Sequence, residues 1–131
     1  MKIAAMIARV LLGLLFTVFG ANGFLHFIPM QPAAGLAGQF TGALFVSHYL
    51  VVVFLIQLVG GLLLLANRFV PLALVLLGPV IVNILCFHAF MAPEGIGMGL
   101  FAAVLWFVVF ASVRSAFAGI FASRVEVGEA R

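Results

Sequence analysis

The sequence predicts an all-α integral membrane protein, a four-helix bundle with antiparallel up-down topology. Of its 131 residues, 67% are hydrophobic and only 7% are charged, too few charges to cover the surface of a soluble domain. The apolar residues form four runs, each long enough to cross a hydrocarbon core that takes about 20 helical residues to span. Polar and apolar residues do not alternate with a period of two, so a transmembrane β-barrel is not expected.

The four predicted spans belong to a single membrane domain that covers residues 1–131. They are residues 3–27, 44–66, 69–91 and 96–117, followed by a short polar tail at 123–131. The connections contain Pro, Gly or Asn, residues at which helices stop. Because these connections are short, consecutive helices are expected to pack as antiparallel neighbours.

The first span has a basic start, and the connection that follows it is long. The run has a basic start and an apolar centre, as a secretory signal does, but Arg9 interrupts the start and no A-x-A cleavage site follows. We therefore predict a retained span. The connection at 28–44 is longer than the others, and its Pro32 suits the first turn of a short helix. The sequence leaves two interpretations open, a lid on the membrane surface or a flexible connector.

The positive charges predict the orientation. All six lie on one predicted side of the membrane: Lys2, Arg9, Arg68, Arg114, Arg124 and Arg131. Since Lys and Arg are held on the cytoplasmic side, both termini are predicted to be cytoplasmic. The formal charge of +3 then follows from topology, so the lipid bilayer is the expected partner and no nucleic acid is needed.

The three histidines all fall toward the side opposite the arginines. His26 is near the end of the first span, His48 near the start of the second and His88 near the end of the third. Asn22 lies one turn before His26 on the same helix face. We therefore predict an outward-facing polar pocket formed by Asn22, His26 and His88, and the sequence leaves open whether His48 belongs to it.

Further polar residues lie around this predicted pocket. Asn83 and Trp106 are also candidate members of the pocket, and Cys86 and the loop acid Glu94 lie near it in the sequence. Asn83 and His88 diverge by about 140° on a regular helix, unless the kink at Pro79 rearranges the turn. The single thiol of Cys86 has no internal disulfide partner.

The spacing along the helix indicates that Gln57 does not face the same pocket as His48. Gln57 lies nine residues after His48, about half a helical revolution away, so the two side chains face opposite directions. Gln57, Asn22 and Asn83 are deep enough to need protein partners, because an unsatisfied amide in hydrocarbon costs several kcal/mol. Hydrogen bonds between helices account for these amides as well as a ligand does, and histidines near helix ends can face the wet interface.

The glycines and one proline predict how the helices pack. Gly20 and Gly23 in the first span, and Gly60 and Gly61 in the second, are small residues that let helix backbones approach closely in lipid. Pro79 lies inside the third span, where it is expected to kink the helix and free a backbone carbonyl one turn earlier.

The polar residues suit a quinone better than a metal ion. No two histidines have the i, i+3 or i, i+4 spacing that makes a metal motif specific, so no metal is predicted. An imidazole or amide can donate to a quinone carbonyl, and histidine can carry the proton that accompanies an electron. The aromatic rings expected to pack against the head group or tail are those of Phe24, Phe27, Phe87, Phe90 and Trp106.

Two segments resemble a known family. They are "ARVLLGLLFTVFGANGFLHFIPM" and "VGGLLLLANRFVPLALVLLGPVIVNILCFHAFMAPEGI", and the chain is similar to the DoxX family of small bacterial membrane proteins from about Ala8 to Phe110. The resemblance implies a four-helix bundle in the bacterial inner membrane. The family includes the small subunit of a thiosulfate:quinone oxidoreductase and a member that links membrane redox proteins in oxidative-stress defence. Many relatives carry an acid where this chain has Gln57.

Three functional hypotheses follow. The first is a quinone-linked redox component, or a subunit of a membrane oxidoreductase, that works with a partner redox protein and is not expected to be catalytic alone. The alternative is a non-catalytic membrane subunit that anchors or assembles a larger complex, and a homo-oligomer is left open. A small-solute transporter ranks third, because four helices enclose little room and no deep charge marks a pathway.

Overall fold

The predicted all-α membrane architecture is confirmed. The structure, a computed structural model, describes residues 2–128. It contains five α-helices, which are α1 (Lys2–Leu25), α2 (Gly35–Val46), α3 (Tyr49–Ala66), α4 (Val70–Met91) and α5 (Ile96–Val113), with single 3₁₀ turns at Pro93–Gly95 and Arg114–Phe117. The residues of the predicted tail up to Gly128 contain no helix or strand, and Arg131 lies outside the described residues.

Four of the helical segments are long and apolar enough to cross a membrane. They are α1, α3, α4 and the segment Pro93–Phe117 that contains α5, with lengths of 24, 18, 22 and 25 residues. Large apolar side chains point out of the bundle along these segments, among them Leu25 at 71% exposure and Phe107 at 64%. Lipid is the solvent that suits such a surface. The chain is therefore a multi-pass membrane protein.

The four long helices form a closed ring. Helix α1 packs against α3 and α5, and α4 packs against the other sides of α3 and α5. The end of the ring that carries Lys2, Arg9, Arg68 and Arg114 is called the arginine end, and the end that carries the three histidines is called the histidine end. The largest fully buried side chains lie between the helix midpoints and the arginine end: Leu12, Leu64, Leu74, Leu77 and Val109.

Small residues bring α1 and α3 into close contact. A Cβ atom added to Gly20 would lie 2.8 Å from the backbone nitrogen of Leu58, and one added to Gly61 would lie 2.6 Å from the backbone nitrogen of Thr17. Neither site has room for a methyl group, because the neighbouring atoms are backbone. Gly23 faces the Phe54 ring, and a Cβ on Gly60 would lie 2.7 Å from Leu77 of α4. All four glycines therefore lie at helix contacts.

Two observed helices have bounds that differ from those of the predicted spans. Leu44 belongs to α2, and the predicted span 44–66 is divided at Ser47 and His48, so that α3 begins at Tyr49. The apolar sequence hides this break, which depends on left-handed backbone at His48 with a φ of 66°. The first span likewise ends at Leu25, because His26 adopts a φ of 53°.

The long connection at 28–44 contains a helix that packs on the bundle. Helix α2 begins at Gly35, three residues beyond the position that Pro32 suggested. It contacts α3 and α4, and its Ala37 is only 3% exposed. The ring of Phe40 on α2 lies 5.9 Å from that of Phe87 on α4. The segment is thus an ordered cover over the histidine end of α3 and α4.

Candidate functional site at the histidine end

Two of the three histidines are exposed turn residues. The backbone N–H of His26 donates to the carbonyl of Asn22 at 2.9 Å, and that of His48 donates to the carbonyl of Phe45 at 3.2 Å. The only imidazole hydrogen bond within residues 2–128 belongs to His88. His26 therefore lies exposed at the end of α1 and His48 between α2 and α3, and neither ring has a hydrogen-bond partner within residues 2–128.

Asn22 is buried, and its side-chain amide forms hydrogen bonds with Ile28 and none with the His26 ring. Its Oδ1 accepts from the backbone N–H of Ile28 at 2.7 Å, and its Nδ2 donates to the Ile28 carbonyl at 3.3 Å. Both halves of the amide are thereby satisfied, at 7% exposure of the residue. The predicted face shared by Asn22 and His26 does not form, because the left-handed backbone at His26 takes that residue out of the helix. Asn22 closes the end of α1.

His88 is the histidine that the fold holds in place. It is half-buried, and its Nδ1 lies 3.1 Å from the carbonyl oxygen of Ala92. A carbonyl can only accept, so Nδ1 carries the proton and donates. In the neutral ring Nε2 is then an acceptor. A Cβ at Gly95 would lie 2.5 Å from the His88 ring, so the glycine of the Pro-Glu-Gly turn makes room for the imidazole.

Aromatic side chains link His88 to the covering helix. The ring of Phe87 lies 5.0 Å from the His88 ring in an edge-on arrangement and also contacts Phe40 of α2. Offset and edge-on contacts between rings are favourable. The candidate site consequently contains fewer polar residues than the sequence predicted. It consists of one oriented imidazole, two phenylalanines and a covering helix.

Asn83 and Cys86 lie on the outward face of α4. Both are exposed, and Asn83 Nδ2 donates to the carbonyl of Pro79 at 2.8 Å. This bond lies within one helix turn, and no donor among residues 2–128 forms a hydrogen bond to Oδ1. Asn83 therefore does not join His88 in a common pocket.

Trp106 belongs to the middle of the bundle. Its Nε1 donates to the carbonyl of Leu74 at 2.9 Å, and its ring stacks on Phe110 with centroids 5.3 Å apart. Leu74 is one residue before the carbonyl that Pro79 was predicted to free. The indole thus ties α5 to α4 and is separated from the histidine end.

Two polar side chains lie inside the helix ring without protein partners. Gln57 is 7% exposed, and its side chain forms no hydrogen bond among residues 2–128. The Oγ1 of Thr17 is buried and has no partner there either. Gly61, one turn after Gln57, contacts Thr17. Sequence reasoning overlooked Thr17, although its position between Gly13 and Gly20 on the small-residue face of α1 was a usable signal.

Metal ligation has no geometric support among the described residues. Within residues 2–128 the structure contains no group of three His, Cys, Asp or Glu side chains that could hold a metal ion. Glu94 is exposed in the turn after α4.

Comparison of the chain with family models, with curated proteins and with solved structures finds no match. The DoxX resemblance therefore stays a prediction that rests on the two segments quoted above.

Proposed function

We propose that the protein is a quinone-linked component of a membrane redox system, in a bacterial inner membrane with both termini in the cytoplasm. The observation that carries the proposal is His88, a half-buried imidazole with one nitrogen fixed by the Ala92 carbonyl and the other left as an acceptor. The DoxX resemblance supports the same function class.

The orientation of the His88 ring determines which hydrogen bond it can form with a quinone and which with the corresponding quinol. The quinone and the quinol differ by two electrons and two protons. With Nδ1 donating to Ala92, the neutral ring can accept a hydrogen bond from a quinol hydroxyl through Nε2. A protonated ring donates to a quinone carbonyl instead. This chain would therefore bind the head group and hold a proton, while a partner protein exchanges the electrons.

The surroundings of His88 suit a flat apolar ligand. Phe87 and Phe40 contribute rings next to the imidazole, and aromatic faces pack well against other rings. Helix α2 covers this part of α3 and α4. A head group held by Nε2 would lie at the end of a membrane span, where its tail can extend into lipid.

Quinone binding to the purified protein tests the proposal. The chain in detergent is titrated with a short-chain ubiquinone or menaquinone analogue, and bound ligand is measured by equilibrium dialysis and mass spectrometry. His88→Ala is expected to weaken binding about tenfold, the upper range for one lost hydrogen bond. His26→Ala removes an exposed imidazole at the same end and is expected to bind like the wild type. No binding by the wild type, or equal binding by His88→Ala, contradicts the proposal.

A second function, a non-catalytic subunit that assembles a larger complex, is favoured by Asn83. Asn83 is two to three residues from the middle of the 22-residue helix α4, which places it about 4 Å from the helix midpoint. Its Oδ1 points out of the bundle, where hydrocarbon offers no donor. A transmembrane helix of a partner protein that carries a hydrogen-bond donor would satisfy this oxygen.

Cys86 makes the partner surface accessible to experiment. It is exposed and follows Asn83 by three residues, so it lies on the same side of α4. In native membranes, a partner helix on this face is expected to slow modification of Cys86 by a membrane-permeable maleimide, and Asn83→Leu is expected to restore fast modification. Gln57→Leu removes a buried amide that forms no hydrogen bond among residues 2–128, and it serves as a control that leaves this face unchanged. Equal rates in native membranes and in the purified monomer argue against this function, and a Cys86–Cys86 crosslink identifies a homo-oligomer instead.

A further inference from the structure

The arginine end contains a cavity that the proposed function does not use. Its volume is about 340 Å³, and it lies between the start of α1, the turn after α3 and the end of α5. Cations and apolar side chains line it together, among them Lys2, Arg9, Ala5 and Met6, and its lining residues include no acid.

Arg9 is the deeper of the two cations. It is half-buried, and its Nη1 donates to the carbonyls of Leu64 and Leu65 at the end of α3. A positive charge at this position is favoured by the partial negative charge of a helix C-terminus. The bonds to the carbonyls use one of the three guanidinium nitrogens, so Nε and Nη2 remain as donors next to the cavity.

No carboxylate neutralises Arg9 within residues 2–128. Of the three acids, Glu94 is in the turn after α4 at the histidine end, Glu126 is exposed in the tail, and Glu129 lies outside the described residues. A half-buried charge without a counter-charge is costly in a membrane protein. An anion supplied from outside the chain would relieve this cost.

Lys2 and the cavity wall indicate what kind of anion fits. Lys2 precedes Arg9 by seven residues on α1, so it lies about 10 Å closer to the membrane surface. The wall between them is formed by the apolar side chains of Met6, Val70, Val109 and Val113. A small inorganic anion gains nothing from such a wall, whereas a molecule with a phosphate group and acyl chains uses both features.

We propose that this cavity binds an anionic phospholipid, with the phosphate held between Arg9 and Lys2 and an acyl chain against the apolar wall. The ammonium of Lys2 would meet the outer phosphate oxygens, and Nη2 of Arg9 the inner ones. Charge-assisted bonds of this kind are the stronger class of hydrogen bonds. The site is independent of quinone binding, because it lies at the opposite end of the bundle.

Native mass spectrometry of the purified protein in a non-ionic detergent tests the proposal. Phosphatidylglycerol, phosphatidylcholine and inorganic phosphate are titrated separately, since all three contain phosphate but only the first is an anionic lipid. The wild type is expected to retain one phosphatidylglycerol preferentially. Preferential retention of phosphatidylcholine, or displacement of phosphatidylglycerol by inorganic phosphate at equal concentration, overturns the lipid assignment.

Two charge-removing variants distinguish lipid binding in the cavity from lipid binding by the general positive charge of the arginine end. Lys2→Gln is expected to weaken phosphatidylglycerol binding about fivefold, the usual effect of one basic residue at an anionic surface. Arg114→Gln removes the same charge outside the cavity lining and is expected to change binding less than twofold. Equal losses in these two variants contradict a specific site.

A variant that preserves every charge tests the cavity itself. Ala5 is a half-buried lining residue, and Ala5→Leu fills space without removing a cation. It is expected to reduce lipid retention at least as much as Lys2→Gln, with an unchanged thermal midpoint. Wild-type retention in Ala5→Leu would show that the lipid lies elsewhere. Arg9→Gln is a less informative change, because Arg9 also closes the end of α3.

Discussion

The two ends of the helix ring differ in how they use their polar residues. At the arginine end, Arg9 bonds to carbonyls in the last turn of α3, and this half of the ring contains fully buried leucines of α3 and α4. At the histidine end, Asn22 closes α1 onto Ile28, and His88 is fixed on Ala92. The buried apolar core extends over the first end and stops before the second.

This difference lies in what holds each end of the ring together. The arginine half contains the largest fully buried side chains, and their van der Waals contacts contribute to helix association in lipid. The histidine half replaces some of that packing with loop-closing hydrogen bonds and a covering helix. An imidazole nitrogen remains free at His88 because neighbouring residues use only Nδ1. A substitution of a fully buried residue in the arginine half should therefore destabilise the ring, whereas a substitution of an exposed residue at the histidine end should change only its surface chemistry.

The largest effect is expected at the contact between α1 and α3. A Cβ at Gly61 would lie 2.6 Å from both the backbone nitrogen and Oγ1 of Thr17 and 2.9 Å from the carbonyl oxygen of Gly13, so Gly61→Ala must push two helices apart. We expect a loss of about 3 kcal/mol in the free energy of unfolding. Titration with SDS, followed by the fluorescence of Trp106, measures this loss.

Gly97→Ala is the matched control for that experiment. Nothing lies within 4 Å of a Cβ placed at Gly97 in α5, and Ala has the higher helix propensity. This variant should unfold at the wild-type SDS fraction or slightly above it. Equal losses at Gly61 and Gly97 would mean that α1 and α3 are not in close contact.

A pair of leucines compares the two ends directly. Leu74 is fully buried toward the arginine end, whereas Leu25 at the histidine end is 71% exposed. Leu74→Ala leaves a cavity in the core and is expected to cost about 2 kcal/mol or more in the same SDS titration. Leu25→Ala is expected to change stability by less than about 0.5 kcal/mol, as surface substitutions do. A larger loss at Leu25 would show that the histidine end is packed as tightly as the other.

The spans were predictable because their physical signal is local. A run of about 20 apolar residues is long enough to cross the bilayer in whatever direction its side chains point, so α1, α4 and α5 were placed within a few residues of their observed bounds. The break between α2 and α3 was missed, because Ser47 and His48 interrupt an apolar sequence only briefly. The left-handed backbone at His48 lies where the chain passes from α2 into α3, and no local sequence pattern marks it.

The site was less predictable, because its geometry depends on the path of the loops. Topology alone brings the three histidines to one end of the ring. Asn22 pairs with Ile28, a partner six residues away that no helical spacing indicates. The direction of His88 likewise depends on the turn at Gly95, which makes room for the imidazole. Sequence patterns report which residues share a helix face, and they do not report bonds that cross from a helix into a loop.

The smallest change in stability is expected from substitutions at His48. These substitutions test whether one or several histidines at the histidine end can bind a ligand. His48 has a φ of 66°, a backbone conformation that costs an L-residue roughly 1 kcal/mol and glycine almost nothing. If His48 is only a turn residue, His48→Gly should leave stability unchanged or raise it by up to about 1 kcal/mol. His48→Val, which is β-branched, should lower stability because it tolerates this backbone poorly. Quinone affinity should stay at the wild-type value in His48→Gly; a drop comparable to that of His88→Ala would mean that both imidazoles hold the head group.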